Sequence, residues 1–191
     1  MRRLDPRSPL VLDTVELGRR AGSMRKVTRT VPAPDDLGTE VIRVPAGSEL
    51  ELALRLEAVM EGVLVSGTAE GVAVGECVRC LEEMSEDVEV DVQELFVYPD
   101  RARVRDETDP ASDEKDEYEL DGDLIDVEPV LRDAVVLALP FQPVCTPDCP
   151  GLCSECGARL ADDPDHKHED VDPRWAALKA LVPDTPGQEE S

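Results

Sequence analysis

The sequence predicts an α+β protein in which an antiparallel β-meander or partly open barrel is followed by one or two helices and a C-terminal cysteine-rich knuckle. Three observations lead to this prediction. Apolar and polar residues alternate between Glu49 and Tyr98, an apolar stripe of helical period follows at 126–140, and four cysteines lie within "CTPDCPGLCSEC" at 145–156. The 191 residues are enough for one hydrophobic core with flexible appendages.

The first predicted unit is a basic N-terminal arm, residues 1–35. Residues 1–30 contain eight Lys or Arg and three acidic residues, whereas the rest of the chain contains 12 basic and 41 acidic ones. Cationic segments bind nucleic-acid phosphates by releasing counterions, so we predict an RNA contact. A solvated arm, or one folded back onto the acidic body, is an equally good interpretation. The predicted nucleic-acid-binding residues are Arg19, Arg20, Arg25, Lys26 and Arg29.

Residues 36–99 are predicted to form the antiparallel β region, which also carries the first cysteine pair in "GECVRC". A period of two is typical of strands with one buried face, and the short connections favour antiparallel pairing. Four glycines, Gly62, Gly67, Gly71 and Gly75, are interpreted as breaks between short strands. The predicted inward residues are Leu50, Leu52, Leu54, Leu56, Val63, Val65, Val72, Val74, Val88, Val90, Val92 and Leu95.

An acidic segment precedes a predicted helix. Residues 100–119 hold nine acidic and four basic residues and are predicted to be a disordered loop. Residues 120–160 contain the helix and the cysteine-rich knuckle, with Asp126 as N-cap, Pro129 in the first turn and a stop at Pro140. The predicted apolar stripe is Val127, Val130, Leu131, Ala134, Val135 and Ala138.

Residues 161–191 are predicted to be an acidic tail with a short helix in "DPRWAALKALV". Trp175, Leu178 and Leu181 have the spacing of one helical face.

The six cysteines form three pairs with the spacing of metal ligands. Two pairs are C-x2-C and one is C-x3-C. A C-x2-C turn presents two thiolates to one ion with its backbone amides directed at the sulfurs, and zinc prefers four ligands in a tetrahedron. Gly157 suits such a turn because glycine accepts positive φ. The spacing therefore predicts a structural Zn²⁺ site with ligands drawn from Cys77, Cys80, Cys145, Cys149, Cys153 and Cys156.

Two groupings of these cysteines are open. The four between Cys145 and Cys156 could close a local site, which has the smaller loop-closure cost and is the grouping we favour. Alternatively, Cys77 and Cys80 could meet one C-terminal pair across the fold, which explains better why a pair lies there. His166 and His168 could replace a ligand, although histidines in an acidic loop are more often solvated.

Composition excludes several classes of function. A net charge of -24 argues against a surface that wraps nucleic acid and favours a basic partner. No Gly-rich phosphate loop, G-x-S-x-G or H-E-x-x-H motif occurs, so we predict no enzymatic activity and no small-molecule substrate. The N-terminus lacks an apolar run for a signal peptide or membrane span, so we expect a cytoplasmic protein without a membrane partner, its thiols reduced.

Several blocks together resemble the YceD family of large ribosomal RNA subunit accumulation proteins. They are "GECVRCLEEM", an acidic linker leading to "DGDLIDVEPVLRDAVVLALPFQPVC", "CPGLCSECGARL" and "DPRWAALKAL"; "ELGRRAGSMRKVTRTVPAP" is similar to the actinobacterial form. The resemblance implies a non-enzymatic factor in ribosome biogenesis whose partner is large-subunit rRNA or a pre-ribosomal particle, with a basic ribosomal protein as another candidate. The alternative hypothesis is a zinc-dependent redox-sensing or regulatory protein that uses its C-x2-C pair.

Overall fold

A seven-stranded, mostly antiparallel sheet organises the residues that the computed structural model describes, 3–101 and 118–168. Its strands are β2 (Met24–Pro32), β3 (Leu37–Gly38), β4 (Ile42–Val44), β5 (Glu49–Ala58), β6 (Gly62–Glu76), β7 (Glu83–Val97) and β8 (Tyr118–Glu119). Beside it, β1 (Val11–Asp13) pairs with β9 (Leu124–Asp126), and the helix α1 spans Glu128–Ala138. A further helical turn begins at residues 99–101. The predicted combination of antiparallel sheet and helices is confirmed.

The centre of the sheet is the meander β5-β6-β7. β6 pairs with β7 along its whole length of 15 residues, and its other edge pairs first with β5 and then with β4. The interpretation of Gly67, Gly71 and Gly75 as breaks between short strands was therefore wrong, whereas Gly62 does begin a new strand. Gly67, at φ +150°, instead allows close approach of two strands, because a Cβ there would collide with the Ala53 carbonyl oxygen.

The inner face of the sheet carries the hydrophobic core. The large buried side chains of β5 and of the first half of β6 are those predicted: Leu50, Leu52, Leu54, Leu56, Val63 and Val65. Val72 and Val74 were predicted inward but are 45% and 41% exposed. They lie one residue out of phase with the earlier valines, so Ala69 and Ala73 are buried in their place.

The helix α1 packs against β7 and β3 and covers part of the inner face. It has Pro129 in its first turn and ends before the proline that was predicted to stop it. Val127 rather than Asp126 is the N-cap residue, but the Asp126 carboxylate accepts a hydrogen bond from the Glu128 amide at 3.0 Å. The buried stripe is Val130, Leu131 and Val135, whereas Ala138 is exposed.

The described sheet does not close into a barrel, and its centre is the β-meander that was one of the two predicted forms. In the described ranges, no ladder of hydrogen bonds joins the edge strand β2 to β8 on the opposite side. Closing a barrel requires such pairing between its first and last strands. Here α1 covers part of the inner face, and β1 pairs with β9 in a separate small sheet.

The basic segment at the N-terminus is not an arm separate from the sheet. Its residues 24–32 form β2, which pairs antiparallel with β5 over nine residues. Val27 packs against the core and Val31 is 5% exposed, so their alternation with polar residues gives this strand an inner face. The segment therefore folds back onto the body, one of the two interpretations that its charge left open.

The acidic segment 100–119 ends in structure. Tyr118 and Glu119 form β8, which pairs parallel with β7, and the Tyr118 ring lies 5.6 Å from that of Phe96. The rest of the predicted loop, 102–117, lies outside the described residues, as does the predicted helix with Trp175, Leu178 and Leu181. Among the helices that the structure describes, none is long and apolar enough to cross a membrane.

Candidate metal centres

All six cysteines and both histidines of the chain come together in two groups. The buried cluster is Cys77, Cys80, Cys145 and Cys149, and the exposed cluster is Cys153, Cys156, His166 and His168. Within each cluster, the sulfur or ring-nitrogen atoms lie within 4.8 Å of one another. Each cluster therefore has four ligand atoms that could hold a metal ion.

The buried cluster joins the turn between β6 and β7 to the segment that follows α1. The Val78 amide donates a hydrogen bond to the Pro143 carbonyl at 2.9 Å. The Arg79 guanidinium donates to the carbonyls of Cys149 and Pro147 at 3.1 and 3.4 Å. These bonds place the C-x3-C segment over the C-x2-C turn, with Met84, Val144 and Leu152 packed around the sulfurs.

The sulfur positions of the buried cluster fit a tetrahedral four-thiolate site. Cys77 Sγ lies 3.8 Å from Cys149 Sγ, and Cys80 Sγ lies 3.7 Å from Cys145 Sγ. With Zn–S bonds of about 2.3 Å, the edge of a tetrahedron is about 3.8 Å. A disulfide would require about 2.05 Å, and all six cysteines are free. The geometry thus matches ligands around one ion.

Backbone amides point at the sulfurs, as the spacing predicted. Hydrogen bonding from the Cys145 amide, with further bonds from those of Cys80 and Arg79, lowers the pKa of Cys77 to about 6 despite its burial. The pKa of Cys80 is raised to about 12: the Glu82 amide lowers it, but burial and the neighbouring thiols outweigh that effect. Burial likewise raises the pKa of Cys149. Burial thus opposes the thiolates of Cys80 and Cys149, and a bound cation would offset that opposition.

The burial of the first C-x2-C pair, Cys77 and Cys80, argues against a role in sensing oxidants. The side chains of Cys77 and Cys80 are 0% and 5% exposed. A redox-sensing thiolate must be accessible to its oxidant. The pair lies in a turn between two strands, which is not the helix N-terminus typical of thioredoxin-like centres.

The exposed cluster combines a second C-x2-C turn with two histidines. Cys156 Sγ lies 3.2 Å from the Nε2 atoms of both His166 and His168, and these two nitrogens are 2.8 Å apart. The amides of Cys156 and Glu155 lower the pKa of Cys153 to about 7. This is the donor set of a Cys₂His₂ site.

The local grouping that loop closure favoured is not the one that the structure brings together. Cys145 and Cys149 lie with the β6–β7 turn, and Cys153 and Cys156 lie with the two histidines. The sheet already holds that turn beside the end of α1, so the cross-fold site has no extra loop to close. The H-x-H spacing after the last cysteine was a signal that could have identified the histidines as ligands.

The five predicted nucleic-acid-binding residues do not form one free cationic surface. Arg19 pairs with Asp100 at 3.6 Å, and its guanidinium carbon lies 4.6 Å from the ring centroid of Tyr98. Arg25 pairs with Glu16 at 3.3 Å, and Arg29 donates to the Pro9 carbonyl at 3.2 Å. Arg20 and Lys26 are exposed without a partner in the described part of the chain. Along β2, Lys26 faces the side opposite to Arg25 and Arg29.

The outer face of the meander is strongly acidic. Directly paired residues place Glu51 of β5 beside Glu70 of β6, and Glu70 beside Glu89 of β7. All three are exposed, and none pairs with a described cation. We call this surface the acidic face; its exposed members are Glu49, Glu51, Glu70, Asp87, Glu89 and Asp91. The net charge is evident from the sequence, but its concentration on one face of the sheet is not.

Comparison with known proteins identifies relatives. The sequence profile described as "Large ribosomal RNA subunit accumulation protein YceD" matches residues 65–182. An uncharacterised protein of Mycobacterium tuberculosis is 48% identical over 92% of this chain and 82% of its own length, and one of Mycobacterium leprae is 42% identical over 96% and 83%. The uncharacterised protein YlbN of Bacillus subtilis is 28% identical over 60% of this chain and 63% of its own. No solved structure matches the chain.

Proposed function

Because the chain belongs to the YceD family of large ribosomal RNA subunit accumulation proteins, we propose that it supports accumulation of that RNA as a non-enzymatic binding factor in the cytoplasm. Its direct partner in the proposal is a lysine- and arginine-rich protein of the large subunit, met free or within a pre-ribosomal particle. The buried cluster is assigned a structural Zn²⁺, which fastens the segment after α1 to the sheet.

The row of Glu51, Glu70 and Glu89 carries this proposal. Like charges directly opposite one another on neighbouring strands destabilise a sheet by about 0.2–1 kcal/mol per pair. The chain therefore bears a stability cost at an exposed site where neutral residues would fold better. A cationic partner recovers that cost on binding, and its approach is steered by the same field.

Two exposed valines add an apolar contact to this surface. Val72 lies opposite Asp87 on the outer face, and Val74 lies opposite Ser85. Both are more than 40% exposed. Apolar side chains ringed by charge are typical of protein interfaces, whereas a surface that only maintains solubility does not need them.

Direct RNA binding has weaker support than protein binding. Arg19, Arg25 and Arg29 already bond to protein groups, and phosphate contacts would have to compete with those bonds. The acidic face would repel the RNA backbone. An association with rRNA is therefore proposed to run through the basic protein.

The test is a charge-neutralised triple variant, Glu51→Gln, Glu70→Gln and Glu89→Gln, expressed in place of the native chain. We expect it to fold with equal or higher stability because the like-charge row is removed. It should lose crosslinks to basic large-subunit proteins and lower the ratio of large-subunit to small-subunit rRNA. The matched control changes the same charge elsewhere, in Asp35→Asn, Glu61→Gln and Asp123→Asn.

Three results would contradict the proposal. If the triple variant leaves the ratio of large-subunit to small-subunit rRNA and the crosslinks unchanged, the acidic face has no part in the function. Equal loss in the control would mean that net charge alone matters. Crosslinks that run mainly from Arg20 and Lys26 to RNA would replace the protein partner with rRNA itself.

A further inference from the structure

We infer that the exposed cluster is a second, independent metal site for a divalent ion that binds thiolate and imidazole, with Zn²⁺ as the first choice, and that it exchanges its ion faster than the buried cluster. The inference does not depend on the proposed function. It rests on the turn that presents the two cysteines, on the surroundings of the histidines and on the accessibility of the four ligands.

The turn around Cys153 repeats the turn around Cys77 bond for bond. In the first, the Cys77 amide donates to the Glu82 carbonyl at 2.8 Å, and the Leu81 amide donates to the Cys77 carbonyl at 2.8 Å. In the second, the corresponding bonds join Cys153 to Ala158 at 2.8 Å, and Gly157 to Cys153 at 2.9 Å.

The two turns also agree in backbone conformation and in the amides that reach the sulfur. The residue after the second cysteine has positive φ in both, 59° at Leu81 and 72° at Gly157. In both turns, the backbone amides of the second and third residues after the first cysteine hydrogen-bond to its sulfur. An ordinary surface loop has no need of this arrangement, which directs two sulfurs to one point.

Each histidine presents one ring nitrogen to the cluster and the other to a carboxylate. His166 Nε2 faces Cys156, and its Nδ1 lies 3.8 Å from Asp163; His168 Nε2 faces Cys156, and its Nδ1 lies 3.4 Å from Glu155. A hydrogen bond from Nδ1–H to such a carboxylate selects the tautomer that leaves Nε2 free to bind a metal, as is usual for metal-ligating histidines, and a small side-chain rotation would form that bond here.

The distances leave room for the ion after a small opening. For Zn–N of about 2.05 Å and Zn–S of about 2.3 Å, a tetrahedron has N–N and S–N edges of about 3.3 and 3.6 Å. The observed values are 2.8 Å between the nitrogens and 3.2 Å from sulfur to nitrogen. Shifts of about half an ångström at exposed side chains suffice.

The two clusters share no ligand and differ in access to solvent. The histidine side chains are 20% and 32% exposed at His166 and His168, and Cys156 is exposed, whereas Cys77 is 0% exposed. A chelator can reach the exposed cluster without unfolding. In the buried cluster Cys145 is exposed, but Cys77, Cys80 and Cys149 are covered, so release of an ion there requires a local opening. The Arg159–Glu82 ion pair, with Arg159 Nη1 2.5 Å from Glu82 Oε1, links the two turns.

The test compares a double variant, His166→Ala plus His168→Ala, with the matched control Lys167→Ala. The control changes the exposed residue that lies between the two histidines. Each full-length chain is reduced, stripped and reloaded with Zn²⁺ or Co²⁺. Metal per chain is counted by native mass spectrometry, and Co²⁺ absorption reports thiolate ligation. Helix and strand content by circular dichroism shows whether the double variant remains folded.

We expect two ions per chain in the native protein and in Lys167→Ala, and one in the double variant, with its secondary structure retained. The ion that the variant lacks should be the first that a colorimetric chelator removes from the native protein, at least tenfold faster than the second. One ion in every chain, two ions in the double variant, or a Cys153–Cys156 disulfide in the loaded protein would overturn the inference. If the double variant unfolds, Cys156→Ser gives the same count by the same criteria.

Discussion

Removing metal should unfold the segment after α1 while leaving the sheet intact. Of residues 141–168, only Pro143, Cys149 and Gly151 are buried. A stretch of this length cannot form a core of its own, and chains below about 40 residues usually need a metal or disulfide. The 28-residue core cluster that includes the sheet, by contrast, contains no cysteine. The two parts therefore depend on different sources of stability.

The expected loss of local stability depends on which other interactions hold the segment after α1 to the sheet. Its bonds to the sheet are the Val78 amide to Pro143, the Arg79 guanidinium to two carbonyls and the Arg159–Glu82 ion pair. Each contributes about 1 kcal/mol, whereas structural Zn²⁺ contributes about 10–16 kcal/mol in small zinc domains. Losing the ion should cost at least about 4 kcal/mol of local stability, which is about 10³-fold in amide protection.

Hydrogen exchange with mass spectrometry measures this directly on the reduced protein, with and without chelator. Peptides covering 143–160 should exchange at least about 10³-fold faster without metal, and peptides from β5 and β6 should change by less than about threefold. Unchanged protection of 143–160 in metal-free protein would refute the metal reasoning. Simultaneous loss in β5 and β6 would refute the separation of the two parts.

Three further predictions concern single residues. Leu56→Ala, at a side chain that is 0% exposed, should lower the free energy of unfolding by about 2–5 kcal/mol in urea titrations, whereas Leu137→Ala at 85% exposure should change it by less than about 0.5 kcal/mol. Tyr98→Phe should raise stability by about 1 kcal/mol, because the buried hydroxyl has no described partner; a decrease would contradict this. Gly151→Ala should weaken zinc binding about tenfold, because φ is +79° and the added Cβ would lie 3.1 Å from the Arg79 carbonyl oxygen. Gly157→Ala should have a smaller effect, because its φ is +72° but no atom lies near the added Cβ. A competition titration with a chelator measures both.

Alternation allowed the sequence to predict the sheet but not every inward face. In β5 the four leucines share one phase, and they are buried. In β6 the larger side chains change phase after Gly67, and a choice by size placed Val72 inward instead of Ala73. Ala73 is inward because the alternation of the paired strand continues from Val65 and Ala69, whatever the size of the side chain.

The structure brings all six predicted cysteines into two clusters, but how they are grouped could not be predicted without the fold. The entropy of loop closure depends only on the number of residues between two cysteines. It does not include the fact that the β6–β7 turn already holds Cys77 beside the segment after α1. The charge of the basic segment left open whether it is a solvated arm or folds back onto the body. Val27 and Val31, which share one face of β2 with Arg25 and Arg29, were the apolar signal for the second interpretation.

The metal content of the buried cluster tests the central claim most directly. The chain is purified under reducing conditions without added metal, and native mass spectrometry compares it with Cys149→Ser and with the exposed-cluster variant Cys156→Ser. We expect two Zn²⁺ in the native chain and one in each variant: Cys156→Ser keeps the ion of the buried cluster and the protection of the segment around Cys149, whereas Cys149→Ser loses both. A metal-free native chain whose thiols are all reduced and whose segment 143–160 is still protected would contradict the account.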